Sequence, residues 1–93
     1  MRKVFCAKFG QELEGLDSPP FPGKLGQIIF NQVSKRAWEE WKDLEIKIVN
    51  EYRLNLAYKE DYEALKEQMI VFLGLKEGEV LKTGDPDKGK SSQ

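Results

Sequence analysis

Ser34-Lys35-Arg36-Ala37-Trp38-Glu39-Glu40-Trp41-Lys42-Asp43-Leu44-Glu45-Ile46-Lys47-Ile48-Val49-Asn50-Glu51-Tyr52 is the stretch on which the fold turns. Trp38, Trp41, Leu44 (with Glu45), Ile48 and Tyr52 recur every three or four residues, the period of an α-helix, and Ala37 and Val49 widen the apolar stripe. Ser34 is a favoured N-cap, because its side-chain oxygen can accept a hydrogen bond from a first-turn N–H that has no partner within the helix. The spacing predicts a helix over roughly 35–53, with Asn50 to Asn55 carrying its end and the turn beyond. At this period the two tryptophans read as core rather than as a platform for stacking nucleic-acid bases.

Upstream, Leu25, Ile28, Ile29 and Val33 repeat at helical spacing, and Pro22 suits a first helical turn, where its missing N–H costs nothing. Gly26 within that face costs about 1 kcal/mol relative to Ala, so its presence points to a close packing contact. Asp17-Ser18-Pro19-Pro20-Phe21 reads as an extended, proline-stiffened connector. Residues 3–9 are rich in β-branched and aromatic side chains and read as a short strand. Gly10-Gln11 suits a two-residue turn returning through Glu12 to Leu16. A two-stranded hairpin is not stable alone, so it must lie on the helices.

Downstream, Tyr62, Leu65, Met69, Phe72 and Leu73 predict a third helix near 60–73, with Gly74 placed to cap it. From Lys76 onward the periodicity stops. Glycines, a proline and charges alternate, with at most a short extended piece around Val80-Leu81. The expected organisation is one domain, residues 1–75, and a flexible C-terminal tail, 76–93. The expected class is α+β and mostly helical: a short N-terminal antiparallel β-hairpin packed on a small three-helix bundle.

Ninety-three residues suffice for a single domain, and five Phe, three Tyr and two Trp supply apolar area for a small core. Fifteen basic residues against sixteen acidic leave a formal net charge of −1, which argues against a general binder of nucleic acid or anionic membrane. Val4 to Phe9 is too short for a signal peptide and is interrupted by Lys8. No run approaches the roughly 18 apolar residues of a membrane span. A single Cys can form no internal disulfide, which fits a reducing cytoplasm. The chain has no His, which removes the usual general base, the Ser-His and Cys-His pairs and the two-His-one-carboxylate iron triad. One Cys without His builds neither an iron–sulfur cluster nor a structural zinc site, and Gly23-Lys24-Leu25-Gly26 is not a phosphate loop. A non-enzymatic role is expected.

Cys6 is the sharpest candidate for chemistry. Strand alternation puts Phe5, Ala7 and Phe9 on one face, expected to turn toward the helices, and Val4, Cys6 and Lys8 on the other. Cys6 is therefore expected to face outward with Arg2 and Lys8, cations that favour the thiolate. The alternative is a small hydrophobe tucked under a loop. Glu12, Glu14 and Asp17 follow the turn and could approach Cys6 as oxygen ligands for Fe(II). Glu39 with Asp43, and Glu60, Glu63 and Glu67, form carboxylate rows on the second and third helices. The lysines among them fit solvated salt-bridge faces. Lys24, Lys35 and Arg36 could touch a phosphate only weakly. Pro19, Pro20, Phe21 and Pro22 form a candidate contact surface for a partner.

The order and spacing of several stretches resemble the bacterial Fe(2+)-trafficking family, the YggX-like proteins. They are Phe5-Cys6 with Phe9; Glu14-Gly15-Leu16-Asp17; Pro19-Pro20-Phe21-Pro22-Gly23-x-Leu25-Gly26; Ile29-Phe30-Asn31; Ser34-Lys35-x-Ala37-Trp38-x-x-Trp41; Asn50-Glu51-x-Arg53-Leu54-Asn55-Leu56; and Gln68-Met69-x-x-Phe72-Leu73. The resemblance spans about residues 3–73. It implies a hairpin on a small helical bundle, and a cytoplasmic role in ferrous-iron handling that protects iron–sulfur proteins from oxidative damage. It also implies Cys6 as the thiol tied to iron or oxidant, while one soft ligand with carboxylates suits weak or transient Fe(2+) binding. The partners expected are iron–sulfur proteins or their assembly machinery. The charge balance and hydropathy point to no membrane and no specific nucleic acid, and a monomer is expected. The alternative readings are an interaction module that shields an iron–sulfur client and a single-thiol redox protein. Lys24 stands where an acidic residue is expected, Ile28 where a basic one is usual, and Tyr58 to Tyr62 diverges.

Overall fold

The computed structural model describes residues 2–81. Five elements follow in order: β1 (Lys3–Cys6), β2 (Gln11–Glu14), α1 (Lys24–Gln32), α2 (Lys35–Glu51) and α3 (Lys59–Phe72). This is the expected α+β architecture, a two-stranded antiparallel sheet on three helices. The expected tail is described only as far as Leu81, and the remainder lies outside the described residues.

The helices form where apolar period and caps agree. Ser34 caps α2, its Oγ accepting the Ala37 N–H at 3.1 Å. α3 begins without a side-chain bond from its cap residue, Tyr58. Its approach is instead fixed by Asn55, whose Oδ1 accepts the Ala57 N–H at 3.0 Å, and by Asp61 in the first turn, whose carboxylate accepts the Asn55 N–H at 2.8 Å. Gly74 follows α3 at φ 81°, a left-handed geometry that suits glycine.

Trp41, Ile48, Leu65, Met69 and Leu73 bring α2 and α3 together, while Ile29, Val33 and Ala37 close the core under the hairpin. Tyr52 and Tyr62, expected inside, are exposed. Gly26 is buried because the Phe21 carbonyl lies where a Cβ would stand, the close contact its position implied.

The hairpin differs from expectation in both turn and facing. Cys6 pairs with Gln11, so Ala7 to Gly10 form the connection, closed by the Gly10 N–H donating to the Cys6 carbonyl at 2.8 Å. β1 therefore ends at Cys6, and Ala7 and Phe9 are not strand residues that could share a face with Phe5. Val4, Cys6 and Leu13 form the inner face; Phe5 points outward, 67% exposed. Both ends of the hairpin are stitched to the α1–α2 junction. The Ala7 N–H donates to the Gln32 carbonyl at 2.8 Å, and Gly15 bridges to Ser34.

Candidate functional site

The outward orientation expected for Cys6 is corrected by this register. Its side chain is 0% exposed and belongs to the core cluster, because alternation along β1 places it with Val4 on the face turned to the helices. It is nevertheless not in a purely hydrocarbon setting. The Ser34 N–H donates to Sγ at 3.4 Å, and Ser34 is itself fully buried. The Ser34 hydroxyl accepts from Ala37 through its oxygen and directs its own proton to the sulfur. The backbone N–H groups of Phe9 and Lys8, in the hairpin connection, add further donors.

Two effects oppose one another at this sulfur. Burial is the largest and pushes the thiol pKa up, since a thiolate is poorly solvated there. The donors from Ser34, Phe9 and Lys8 together outweigh it, leaving Cys6 below the ordinary thiol value of 9.0. These donors all favour the anion: a thiolate at this position accepts every one. The sulfur lies at the head of α2, where the unpaired first-turn N–H groups carry partial positive charge.

The connection over the sulfur is held from the other side by the end of α3. A Cβ on Gly74 would lie 2.6 Å from the Ala7 carbonyl oxygen, and Lys8 Nζ sits 3.7 Å from the centroid of the Phe72 ring.

The carboxylates considered with Cys6 are not brought to it. Glu12 and Glu14 pair with Phe5 and Lys3, so they project from the opposite face of the hairpin, and both are exposed, as is Asp17. Glu14 instead approaches Lys35 at 4.0 Å. Glu67 pairs with Lys76 at 2.7 Å, and Glu39, Asp43, Glu60 and Glu63 are solvent-facing. Among the described residues, no three His, Cys, Asp or Glu side chains gather closely enough to hold a metal ion.

Pro20, Phe21 and Pro22 line one wall of a groove of about 620 Å³, opposite Tyr62 and Leu65 of α3, with Trp38 and Trp41 between. Phe21 packs on Trp38 with ring centroids 6.5 Å apart and planes tilted by 53°. Lys24, Lys42 and Lys66 stand along it. The sequence reading picked out the prolines and Phe21 but took Tyr62 for core. The available signal was an aromatic four residues before a lysine on both helices, Trp38 with Lys42 and Tyr62 with Lys66. A second residue given too little weight is Arg2. Rather than facing Cys6, it donates to the Leu16 and Phe30 carbonyls and stacks on the Phe30 ring.

A hairpin laid across the head of a helix, with one shielded thiol between them, defines a small single-thiol α+β domain. Comparison with known proteins then gives the family. The family described as "Bacterial Fe(2+) trafficking" matches residues 1–84. A protein of Bordetella pertussis named "Probable Fe(2+)-trafficking protein" is 53% identical over 72 residues, covering 77% of this chain and 80% of that protein. One of the same name from Legionella pneumophila (strain Corby) is 53% identical over 68 residues, 73% of this chain and 76% of its own. Another, from Pseudomonas paraeruginosa, is 46% identical over 72 residues, 77% of this chain and 80% of its own. The chain belongs to the bacterial Fe(2+)-trafficking family. Among the described residues, no helix is long and apolar enough to cross a membrane.

Proposed function

We propose that this protein handles ferrous iron as loosely held cargo in the cytoplasm and protects iron–sulfur proteins against oxidative damage. It acts without catalysis, as a monomer, and Cys6 is its reactive group. The observation that carries the reading is the thiol environment: a shielded sulfur ringed by the donors of Ser34, Phe9 and Lys8, with its pKa lowered. A thiolate is the form that binds a soft or borderline metal and attacks an oxidant. Its cover, the Ala7 to Gly10 connection, must move for either to reach it. Cys6 supplies one ligand, and Glu12, Glu14 or Asp17 join it only if the hairpin shifts or a client protein completes the shell. That incompleteness suits a carrier, which must release its iron. In this reading residues 1–75 do the work and 76–93 stand outside it.

The test compares wild type with Cys6→Ser for ferrous binding, by competition against a colorimetric chelator, and for survival of an iron–sulfur enzyme under peroxide. Weaker binding and lost protection are expected. Unchanged behaviour in both assays removes Cys6 from the function.

The groove supports a second reading, in which the chain docks on an iron–sulfur client or its assembly machinery through the connector Pro19, Pro20, Phe21 and Pro22. Of these, Pro20, Phe21 and Pro22 line the groove and Pro19 is exposed beside it in sequence. Capture of such a client would then depend on Phe21 and survive Cys6→Ser.

A further inference from the structure

We infer that the groove between the Pro20–Pro22 connector and α2–α3 binds an acidic peptide segment carrying a bulky apolar anchor. The inference rests on the docking reading of that connector and is independent of Cys6.

Shape and charge argue for this occupant together. The groove floor is apolar and aromatic, and its volume of about 620 Å³ is enough to take a large side chain with its flanking backbone. Tyr62 on its wall is 51% exposed, so apolar area remains to be covered. Among the described residues, Lys24, Lys42 and Lys66 line the groove against a single acid, Glu45, which is taken up by Lys42 at 2.8 Å. Neither Lys24 nor Lys66 has an ion-pair partner among the described residues. In a chain whose formal net charge is −1, three cations against one acid leave Lys24 and Lys66 as a local excess of two positive charges around one apolar groove. A basic or neutral segment would leave those ammonium groups uncompensated at the edge of a desolvated contact; carboxylates flanking an anchor pair with them.

The ring geometry disfavours single-stranded nucleic acid. Trp38 is covered on one side by Phe21, and Trp41 is 1% exposed, so few ring faces are open for stacking bases. An anionic bilayer would require a flatter, more basic face than a groove containing Glu45.

The experiment uses the full chain and a fluorescein-labelled peptide of alternating Glu and Gly around a Phe-Leu pair, followed by anisotropy. Controls carry Lys for Glu, or Ser for the Phe-Leu pair; a single-stranded oligonucleotide and phosphatidylglycerol vesicles are titrated alongside. Binding to the acidic, anchored peptide is expected, weakening with salt and absent for both peptide controls. Exchanging Lys24→Glu and Lys66→Glu together is expected to weaken it about tenfold, since like charges then face the peptide. Lys24 is exposed and Lys66 half-buried, so the circular dichroism and melting temperature of the exchanged protein are compared with wild type, and Lys24→Glu alone is expected to weaken binding in the same direction. Cys6→Ser is expected to bind as wild type does. Equal binding of the Lys peptide, indifference to the lysine exchange, or tighter binding of the oligonucleotide or vesicles would overturn the inference. If the acidic peptide fails while client capture still depends on Phe21, the acidic specificity falls and the docking reading stands.

Discussion

The Ser34 N–H donates to the Cys6 sulfur across 3.4 Å, joining the end of the first strand to the residue that caps the longest helix. One contact thus couples a thiol's ionisation to the packing of the hairpin. Burial alone would raise the Cys6 pKa, but the donors of Ser34, Phe9 and Lys8 prevail and hold it below 9.0. The unfolded chain therefore binds this proton more tightly than the folded one. The stability contributed by Cys6 is fully present above the unfolded value and is lost as pH falls through the lower folded value. Urea unfolding of wild type and Cys6→Ala across a pH series should show their difference growing as pH rises toward 9.0. A difference that is flat or shrinks over that range would mean the donors do not favour the thiolate.

Ser34→Ala separates the two duties of the hydroxyl. Losing the cap on Ala37 should cost about 1 kcal/mol of stability, read by denaturant unfolding. Losing the donor to sulfur should raise the Cys6 pKa, read by the ultraviolet absorbance of the thiolate. A stability loss with no change in thiol titration would confine Ser34 to capping.

That pair also marks where the sequence was legible. The cap and the Trp41–Ile48 stripe were readable because a helix repeats its signal over several turns, each confirming the last. The facing of the hairpin was not. In residues 3–9 both alternating sets contain apolar side chains, so period alone assigns neither to the core. The decision came from the connection: β1 stops at Cys6, which takes Ala7 and Phe9 out of the Phe5 set and lets Ala7 bond to Gln32 instead. The same register separates Glu12 and Glu14 from Cys6, which no spacing could reveal. The groove was half legible, since Phe21 and Trp38 stood out while Tyr62 was counted as interior.

Arg2 should matter more than a residue at the edge of the fold usually does. Its guanidinium donates to the Leu16 carbonyl at 2.9 Å and to the Phe30 carbonyl, and lies 3.6 Å from the centroid of the Phe30 ring. It thereby ties the chain after β2 to α1. Removing two hydrogen bonds from a charged donor and a cation–π contact with Arg2→Ala should cost about 1–3 kcal/mol. Arg2→Lys lacks the planar fork and should recover less than half of that in thermal unfolding.

Gly26 tests the connector that walls the groove. Judged by helix propensity alone, Gly26→Ala would stabilise α1 by about 1 kcal/mol. The added methyl would run into the Phe21 carbonyl, a backbone atom between Pro20 and Pro22 with little freedom to retreat. Overpacking of this kind costs about 1–3 kcal/mol, so the clash should win and the variant should melt at a lower temperature than wild type. Because the Phe21 ring packs on Trp38, displacing its backbone should also shift the tryptophan emission of the folded protein. Gly26→Gln, bulkier at the same place, should be worse in both respects. A Gly26→Ala protein more stable than wild type, with unchanged emission, would show that the connector yields freely and cannot serve as a fixed wall for a bound peptide.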